Sequence, residues 1–196
     1  MTQSKEKRLI PGTIWITGIS ASGKTTLGKS LSENLKQHGF ENVKLLDGED
    51  LRQQLDRVYG HSVKERFAVL RNIVRIANEY KQQGYAVIVS TISHKKAMRE
   101  IARTALLPFT EVRLECSVET CRKRDYKGNY AKAFAGELGT FVGVTEPYES
   151  SDTPELSLNT EALSVSECSN ILFKHTLSLF EKRSDYSGDS TAPAQR

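Results

Sequence analysis

The stretch 18-GISASGKTT-26, directly after the apolar run 13-TIWIT-17, constrains this chain more than any other feature. Gly18, four residues, then Gly23-Lys24-Thr25 match the phosphate-binding pattern G-x-x-x-x-G-K-[ST]. Each residue type has a physical task. Gly18 and Gly23 open backbone angles closed to residues with a Cβ, so that N–H groups along Ile19, Ser20, Ala21 and Ser22 can turn inward on an anion. A helix beginning near Lys24 aims its unpaired N–H groups and positive dipole end at the same point. Lys24 reaches the outer phosphates, the Thr25 hydroxyl ligates Mg²⁺, and Thr26 lies beside it in the same turn. A plain polar strand-to-helix turn is the alternative. The context opposes it: β-branched residues and Trp15 precede the loop, and Leu27, Leu31 and Leu35 follow at helical spacing. The expectation is a Mg²⁺-nucleotide site.

At 196 residues the chain is long enough for one domain with a single sizeable core. A net charge of +4 without a dominant basic block suits an enzyme handling anionic nucleotides better than a nucleic-acid binder. The expected partner is therefore a small-molecule nucleotide, with neither nucleic acid nor membrane. No apolar run approaches the roughly 20 residues that span a bilayer. The start, MTQSKEKRLIPG, lacks the apolar stretch of a secretory signal, so the cytoplasm is the expected compartment. Cys116, Cys121 and Cys168 show no paired metal-ligand spacing and read as reduced structural thiols.

Strand and helix patterns alternate along the chain. Strands are expected at 13–17, 43–47, 85–91, 111–116 and 156–160. Helices are expected at 24–38, from Asp50, at 63–83, 95–105, 118–124, near 131–137 and at 166–182. Phe67, Leu70, Ile73, Val74, Ala77 and Tyr80 form one apolar stripe on the long helix. YAVIVST is almost wholly apolar, as a strand buried on both faces would be. This pattern predicts an α/β fold: a parallel β-sheet of about five strands flanked by helices on both faces, with ligands at the carboxyl ends of the strands. Residues 1–10 read as an N-terminal arm, 11–182 as the domain, and 183–196, small and polar, as a disordered tail.

Strand two ends in 47-DGED-50, followed by Arg52. Carboxylates leaving a strand beside a phosphate loop can hold Mg²⁺ or accept a proton from an attacking hydroxyl. They can also merely cap the next helix. The segment 122-RKRDYKGNYAKAFAGE-137 places Arg122, Lys123, Arg124, Lys127 and Lys132 among glycines. It reads as part of a mobile basic lid, about 125–154, that closes over phosphates and excludes water. A solvated basic face is the alternative. No guanine-reading NKxD motif occurs, which weighs against a GTPase.

Taken together, GISASGKTT, DGEDLR, the Gly60–Ser62 turn with Arg66, TIS at 91–93, RDYKGNYAKAFAGEL, FVGV, PYE and LNT give a chain that resembles the adenylylsulfate kinases from about Pro11 to Lys182. The resemblance implies a P-loop nucleotide kinase that uses ATP and Mg²⁺ to phosphorylate the ribose 3′-hydroxyl of adenylylsulfate (APS), giving PAPS for sulfate assimilation. It also implies a homodimer. It assigns Lys24, Asp47, Glu49 and Ser93 to catalysis, Thr25 and Asp47 to the metal, and Arg124 to the ATP side. Arg52 and Arg66 would grip the phosphosulfate and ribose region of the acceptor, and Ile92 and Ser93 would line its pocket. Phe141 would stack on its base, His61 would stand opposite, and Lys127 would reach it from the lid. Ser93 matches a serine traditionally given a phosphoserine role, although a carboxylate and a positioned hydroxyl suffice for direct transfer.

The departures cluster on the acceptor half. The family usually reads DGDNxR, where this chain has Glu49 and Asp50. His61 replaces a stacking Phe, Val69 stands where a substrate-binding Asn is expected, and His94 replaces a Pro. Two other readings stay open: a 3′-kinase of another nucleotide, such as cytidine diphosphoramidate in surface-polysaccharide synthesis, and a non-catalytic nucleotide-binding regulator.

Overall fold

In the computed structural model, which describes residues 7–55 and 59–181, the run TIWIT lies at the centre of the molecule. Strand β1 (Gly12–Thr17) is buried at all six positions. Both its faces are covered: Ile14 and Ile16 enter one apolar cluster and Trp15 the other. After it come α1 (Lys24–Gln37), β2 (Val43–Asp47), α2 (Gly48–Gln54), α3 (Val63–Gln82), β3 (Ala86–Ser90) and α4 (Lys96–Ala105). The chain continues through β4 (Phe109–Glu115), α5 (Val118–Arg124), α6 (Asn129–Phe134), β5 (Leu156–Asn159) and α7 (Val165–Phe180). The strands make one parallel sheet in the order β2-β3-β1-β4-β5.

Helices cover the sheet on both faces. Leu27, Leu31 and Leu35 of α1 and Leu172 and Phe180 of α7 pack on one side. Each such side chain stabilises the fold by about 1.5–3 kcal/mol relative to exposure. On the other side, Leu70, Ile73, Val74 and Ala77 of α3 meet Met98 and Ala102 of α4. Phe67 and Tyr80 complete the α3 stripe from its margins, and Val69 joins the same buried cluster. A reciprocal capping box starts α3 at Ser62 with Glu65, and another starts α7 at Ser164 with Glu167. Both follow the S-x-x-E spacing that satisfies the free N–H groups of a first turn.

Register positions the site. Ser90 lies opposite both Ile16 and Asp47, so β1, β2 and β3 end at one level. The loops that follow them, 18–23, the start of α2, and 91–94, therefore emerge side by side at the carboxyl edge.

Most element boundaries shift by one or two residues from the sequence reading, and two of the shifts have a visible cause. β4 starts at Phe109, two residues earlier than expected, extending its ladder with Thr13. The lid helix is 129–134 rather than 131–137. Gly128 adopts a left-handed conformation before it, and the Asp125 carboxylate accepts a hydrogen bond from Tyr130 N at 2.7 Å, which fixes the earlier start. In the described part of the arm, Leu9 is buried and fastened to Asn42 through its N–H and its carbonyl. The rest of the arm and the tail expected over 183–196 lie outside the described residues. Among the described residues no helix is long and apolar enough to cross a membrane.

Candidate active site

The 18–23 loop crosses from β1 to α1 with the geometry its glycines permit. Gly23 has φ 99° and serves as the N-cap of α1 with no side chain capping the helix, so the first N–H groups of α1 remain open to a ligand. Gly18 is needed for space: a Cβ there would sit 3.0 Å from Leu114 O and 2.7 Å from Ser22 Oγ. Lys24 Nζ donates to Ile19 O at 2.6 Å, folding the side chain over the loop. Burial pushes its ammonium down to about 8, while the nearby Asp47 and Glu49 carboxylates act to raise it.

Asp47 ends β2 and uses both carboxylate oxygens. Oδ2 accepts from Thr25 Oγ1 at 2.7 Å, and Oδ1 accepts from Glu49 N at 2.9 Å as the N-cap of α2. The capping alternative is thus a fact of the geometry, and it leaves Asp47 beside the phosphate loop all the same. Glu49 is exposed in the first turn of α2 and forms an ion pair with Lys127, which reaches across from the lid. That hydrogen bond to Glu49 is the chief reason the Lys127 ammonium titrates higher than usual.

These groups share one cleft of about 1140 Å³. Lys24, Thr25, Thr26, Ser20 and Ala21 line its phosphate-loop end, with Asp47 and Glu49 next to them. Gly18, Ile19 and Ser22 are not on its wall. Ile19 instead lines a separate 280 Å³ cavity with Arg113 and Tyr148. Arg124 lines the cleft too, its guanidinium donating to Thr160 O at 2.8 Å. Thr160 in turn donates to Ser22 O at 3.0 Å, tying the end of β5 to the phosphate loop.

The same cleft is also lined by Arg52, His61, Arg66, Ile92, Ser93 and Phe141. The turn carrying His61 is clamped on several sides. Arg52 donates to the carbonyls of Tyr59 and Gly60, and Gly60 N donates to Glu65. Arg66 Nε donates to His61 O at 2.9 Å, and Thr140 Oγ1 donates to the same oxygen at 2.7 Å. His61 is thereby held at a set place relative to Phe141, the neighbour of Thr140. Burial, then the charges of Arg52 and Arg66, lower the His61 imidazole below its ordinary range, so it is neutral at pH 7. Ser93 is buried with φ 41°, and its Oγ accepts from Trp15 Nε1 at 3.2 Å.

The lid segment is docked by its inner face. Tyr130 is fully buried, donates to Ser20 O at 3.0 Å and meets Phe141 edge-on at 4.8 Å. Of its five basic residues, Arg124 and Lys127 line the cleft, whereas Arg122, Lys123 and Lys132 are exposed away from it. The basic surface read from sequence is therefore only partly a site feature.

Sequence reasoning missed Thr140, Thr160 and Tyr130. Their partners lie 79, 138 and 110 residues away. No local spacing signals such pairs.

Among the described residues no group of three or more His, Cys, Asp or Glu could hold a metal. Mg²⁺ needs none, since it is commonly held by one or two protein oxygens together with substrate phosphates. The Thr25 hydroxyl and Asp47 carboxylate, hard oxygen donors 2.7 Å apart at the phosphate loop, fit that demand.

Comparison with known proteins agrees with this geometry. A family model described as adenylylsulphate kinase matches residues 10–159. The adenylyl-sulfate kinase of Bacillus licheniformis is 38% identical over 164 residues, 83% of each chain. A probable adenylyl-sulfate kinase of Archaeoglobus fulgidus is 40% identical over 148 residues, 76% of this chain and 95% of that one. The Mycobacterium tuberculosis APS kinase CysC, solved in complex with AMPPNP and APS, superposes with a TM-score of 0.80 at 32% identity, covering 85% of this chain and 97% of that one.

Proposed function

This chain belongs to the adenylylsulfate kinase family, and on that premise we propose that it transfers the γ-phosphoryl group of ATP to the ribose 3′-hydroxyl of APS, giving ADP and PAPS. The observation that carries the reading is one cleft lined by two unlike sets of groups: a phosphate loop with Lys24, Thr25 and Asp47, and a basic, aromatic set with Arg52, Arg66 and Phe141.

In this reading Lys24 and the open N-terminus of α1 hold the β- and γ-phosphates, and Arg124 borders the ATP side. Thr25 and Asp47 would hold Mg²⁺, which would neutralise charge on the phosphates. The acceptor's 3′-oxygen attacks the γ-phosphorus, the bond to the β–γ bridging oxygen breaks, and ADP leaves. Glu49 takes the hydroxyl proton or positions the hydroxyl, and release of its ion pair with Lys127 frees it to do so. Arg52 and Arg66 grip the acceptor's anionic group, and Phe141 and His61 flank its base. Ile92 and Ser93 form the pocket wall, where Ser93 positions the acceptor without becoming phosphorylated. Residues 125–154 act as a lid over both nucleotides. A cytoplasmic homodimer is part of the same proposal, by resemblance to the family.

A second acceptor is favoured by one observation. The wall next to Arg66 is apolar at Val69, which is buried in the core and offers no hydrogen bond. That suits a nucleotide whose contacts differ from those of APS, including a cytidine diphosphate derivative. The experiment is a transfer assay with ATP and Mg²⁺ against a panel of nucleotides, resolving the 3′-phosphorylated products. Efficient turnover of APS with no better acceptor supports the first reading; turnover of a cytidine diphosphate derivative in its place supports the second.

A further inference from the structure

Phe141 sits in a turn whose own hydrogen bonds converge on it. Its carbonyl accepts from Val144 N, Thr145 N and Glu146 N at 3.1, 3.0 and 3.1 Å, and its N–H donates to Thr145 Oγ1 at 2.8 Å. Gly143 N donates to Glu146 O at 2.8 Å and closes the far side of the turn. Residues 141–146 are thus one closed unit, and whatever holds Glu146 also holds Phe141. At its start the unit is fastened to the His61 turn, where Thr140 Oγ1 donates to His61 O at 2.7 Å.

Its other end is fastened by a side chain. Glu146 Oε1 pairs with Lys95 Nζ at 2.7 Å and faces His94 Nε2 at 3.4 Å. The hydrogen bond from Lys95 is the chief reason that the Glu146 carboxyl titrates below its ordinary range, so it is anionic at pH 7. His94 is buried, and burial, then the charge of Arg66, keeps its imidazole neutral at pH 7. With its hydrogen on Nε2, that ring turns a donor toward the carboxylate. A Pro at this position would carry no side-chain donor, so His94 adds a tie between the loop after β3 and the Phe141 turn. That loop is itself firmly placed: Thr17 Oγ1 donates to Ile92 O at 2.6 Å, and Arg99 Nη1 to Ser93 O at 2.6 Å. Phe141 lines the cleft, whereas Lys95 and Glu146 are not on its wall. Lys95 keeps Glu149 Oε1 at 3.4 Å, so removing the Glu146 carboxylate strands no buried charge.

We propose that Glu146 is a positioning residue: by engaging Lys95 and His94 it sets the Phe141 ring where it stacks on the acceptor base, without touching the acceptor itself. The proposal rests on reading Phe141 as the platform for that base. It gives His94 a part in holding the pocket wall in place, and no contact with the nucleotide.

The test uses the full-length protein and calorimetry with APS, CDP and AMPPNP. The variants are Glu146→Ala, Glu146→Gln, Phe141→Leu and the double change Glu146→Ala with Phe141→Leu, and thermal unfolding checks that each folds. An aromatic stack corresponds to roughly two- to tenfold in affinity, and Phe141→Leu is expected to weaken the acceptor nucleotide that the wild type binds by about that factor. Glu146→Ala should lose up to the same factor for the acceptor and none for AMPPNP. Glu146→Gln keeps an oxygen for Lys95 and should recover part of the loss. In the Phe141→Leu background, Glu146→Ala should cost nothing further, a non-additivity that a general loosening of the fold would not produce. Full additivity of the two changes overturns the proposal, as does wild-type acceptor affinity in Glu146→Ala when Phe141→Leu shows a loss. Wild-type affinity in Phe141→Leu, or a wild type that binds neither APS nor CDP, overturns the acceptor reading and the proposal with it.

Discussion

Asp47 does two jobs that a single substitution would confuse, and a pair of substitutions separates them. Its Oδ1 caps α2 by accepting from Glu49 N, and its Oδ2 faces Thr25 at the place proposed for Mg²⁺. Asp47→Asn keeps a carbonyl oxygen for the cap and an amide that Thr25 can accept from, so stability should change by no more than about 0.5–1 kcal/mol. Asp47→Ala removes the cap, at about 0.5–2 kcal/mol, and the Thr25 hydrogen bond, at about 0.5–1.5 kcal/mol. Because Thr25 is exposed, water replaces that partner, and the lower ends of both ranges apply, giving a loss near 1 kcal/mol. Activity should order differently. Both variants lose the charge facing the metal and the phosphates, so both should lose kcat by on the order of 10²–10³, the scale for one strong electrostatic stabiliser. Urea unfolding gives the first order, and kcat measured across a Mg²⁺ titration gives the second. Wild-type kcat and wild-type Mg²⁺ dependence in Asp47→Asn would refute the metal role and leave Asp47 as a helix cap alone.

Lys24→Met should lower kcat by on the order of 10²–10³ while changing how stability responds to pH. The folded-state value of about 8 lies below the ordinary 10.5, so between them the unfolded chain holds a proton that the native one has released. Native stability should therefore rise with pH across that window, and the rise should be absent from Lys24→Met when unfolding of both proteins is followed from pH 7 to 10. Equal pH slopes in the two proteins would show that Lys24 is not desolvated. Glu49→Gln keeps size but loses basicity, and should cut kcat with little change in ATP affinity; collapse of ATP binding with unchanged single-turnover chemistry would move Glu49 to the metal site. Arg99 is 3% exposed and paired with Glu111, itself 5% exposed, at 3.1 Å. Arg99→Met strands that carboxylate and should cost about 3–5 kcal/mol in urea unfolding; a loss below about 1 kcal/mol would mean that Arg103 and Ser151 already satisfy Glu111.

What the sequence made legible is what rests on short-range periodicity and spacing. The phosphate loop, its flanking strand and helix, and the α3 stripe all declare themselves within a few turns of chain. The 43–47 strand comes out at its expected limits for the same reason. What it concealed depends on partners distant in the chain. Trp15 holds Ser93 across 78 residues, and Tyr130 holds the phosphate loop across 110. Nothing local to either residue marks it as part of the site. Val69 shows a subtler failure. Read against the family it marks an altered acceptor contact, and in the fold it is also a core residue, packed with Leu70 and Ile73.

That double membership bears on how the acceptor pocket could change its preference. Val69 and Met98 belong at once to the apolar core on the α3 and α4 face and to the cleft wall, which the 91–94 loop also lines. A substitution there alters packing and recognition together, so a single change meets the cost of disturbing a dense interior. Val69 is the position where this bears on recognition, since it is buried and offers no hydrogen bond. Restoring only Val69→Asn would place an amide against the buried core beside Leu70, and unless the acceptor satisfies it the protein loses about 1–3 kcal/mol. The change should therefore be better tolerated with saturating APS than without, and unfolding measured at both conditions checks it. Equal destabilisation with and without APS would mean that residue 69 faces the core and not the acceptor.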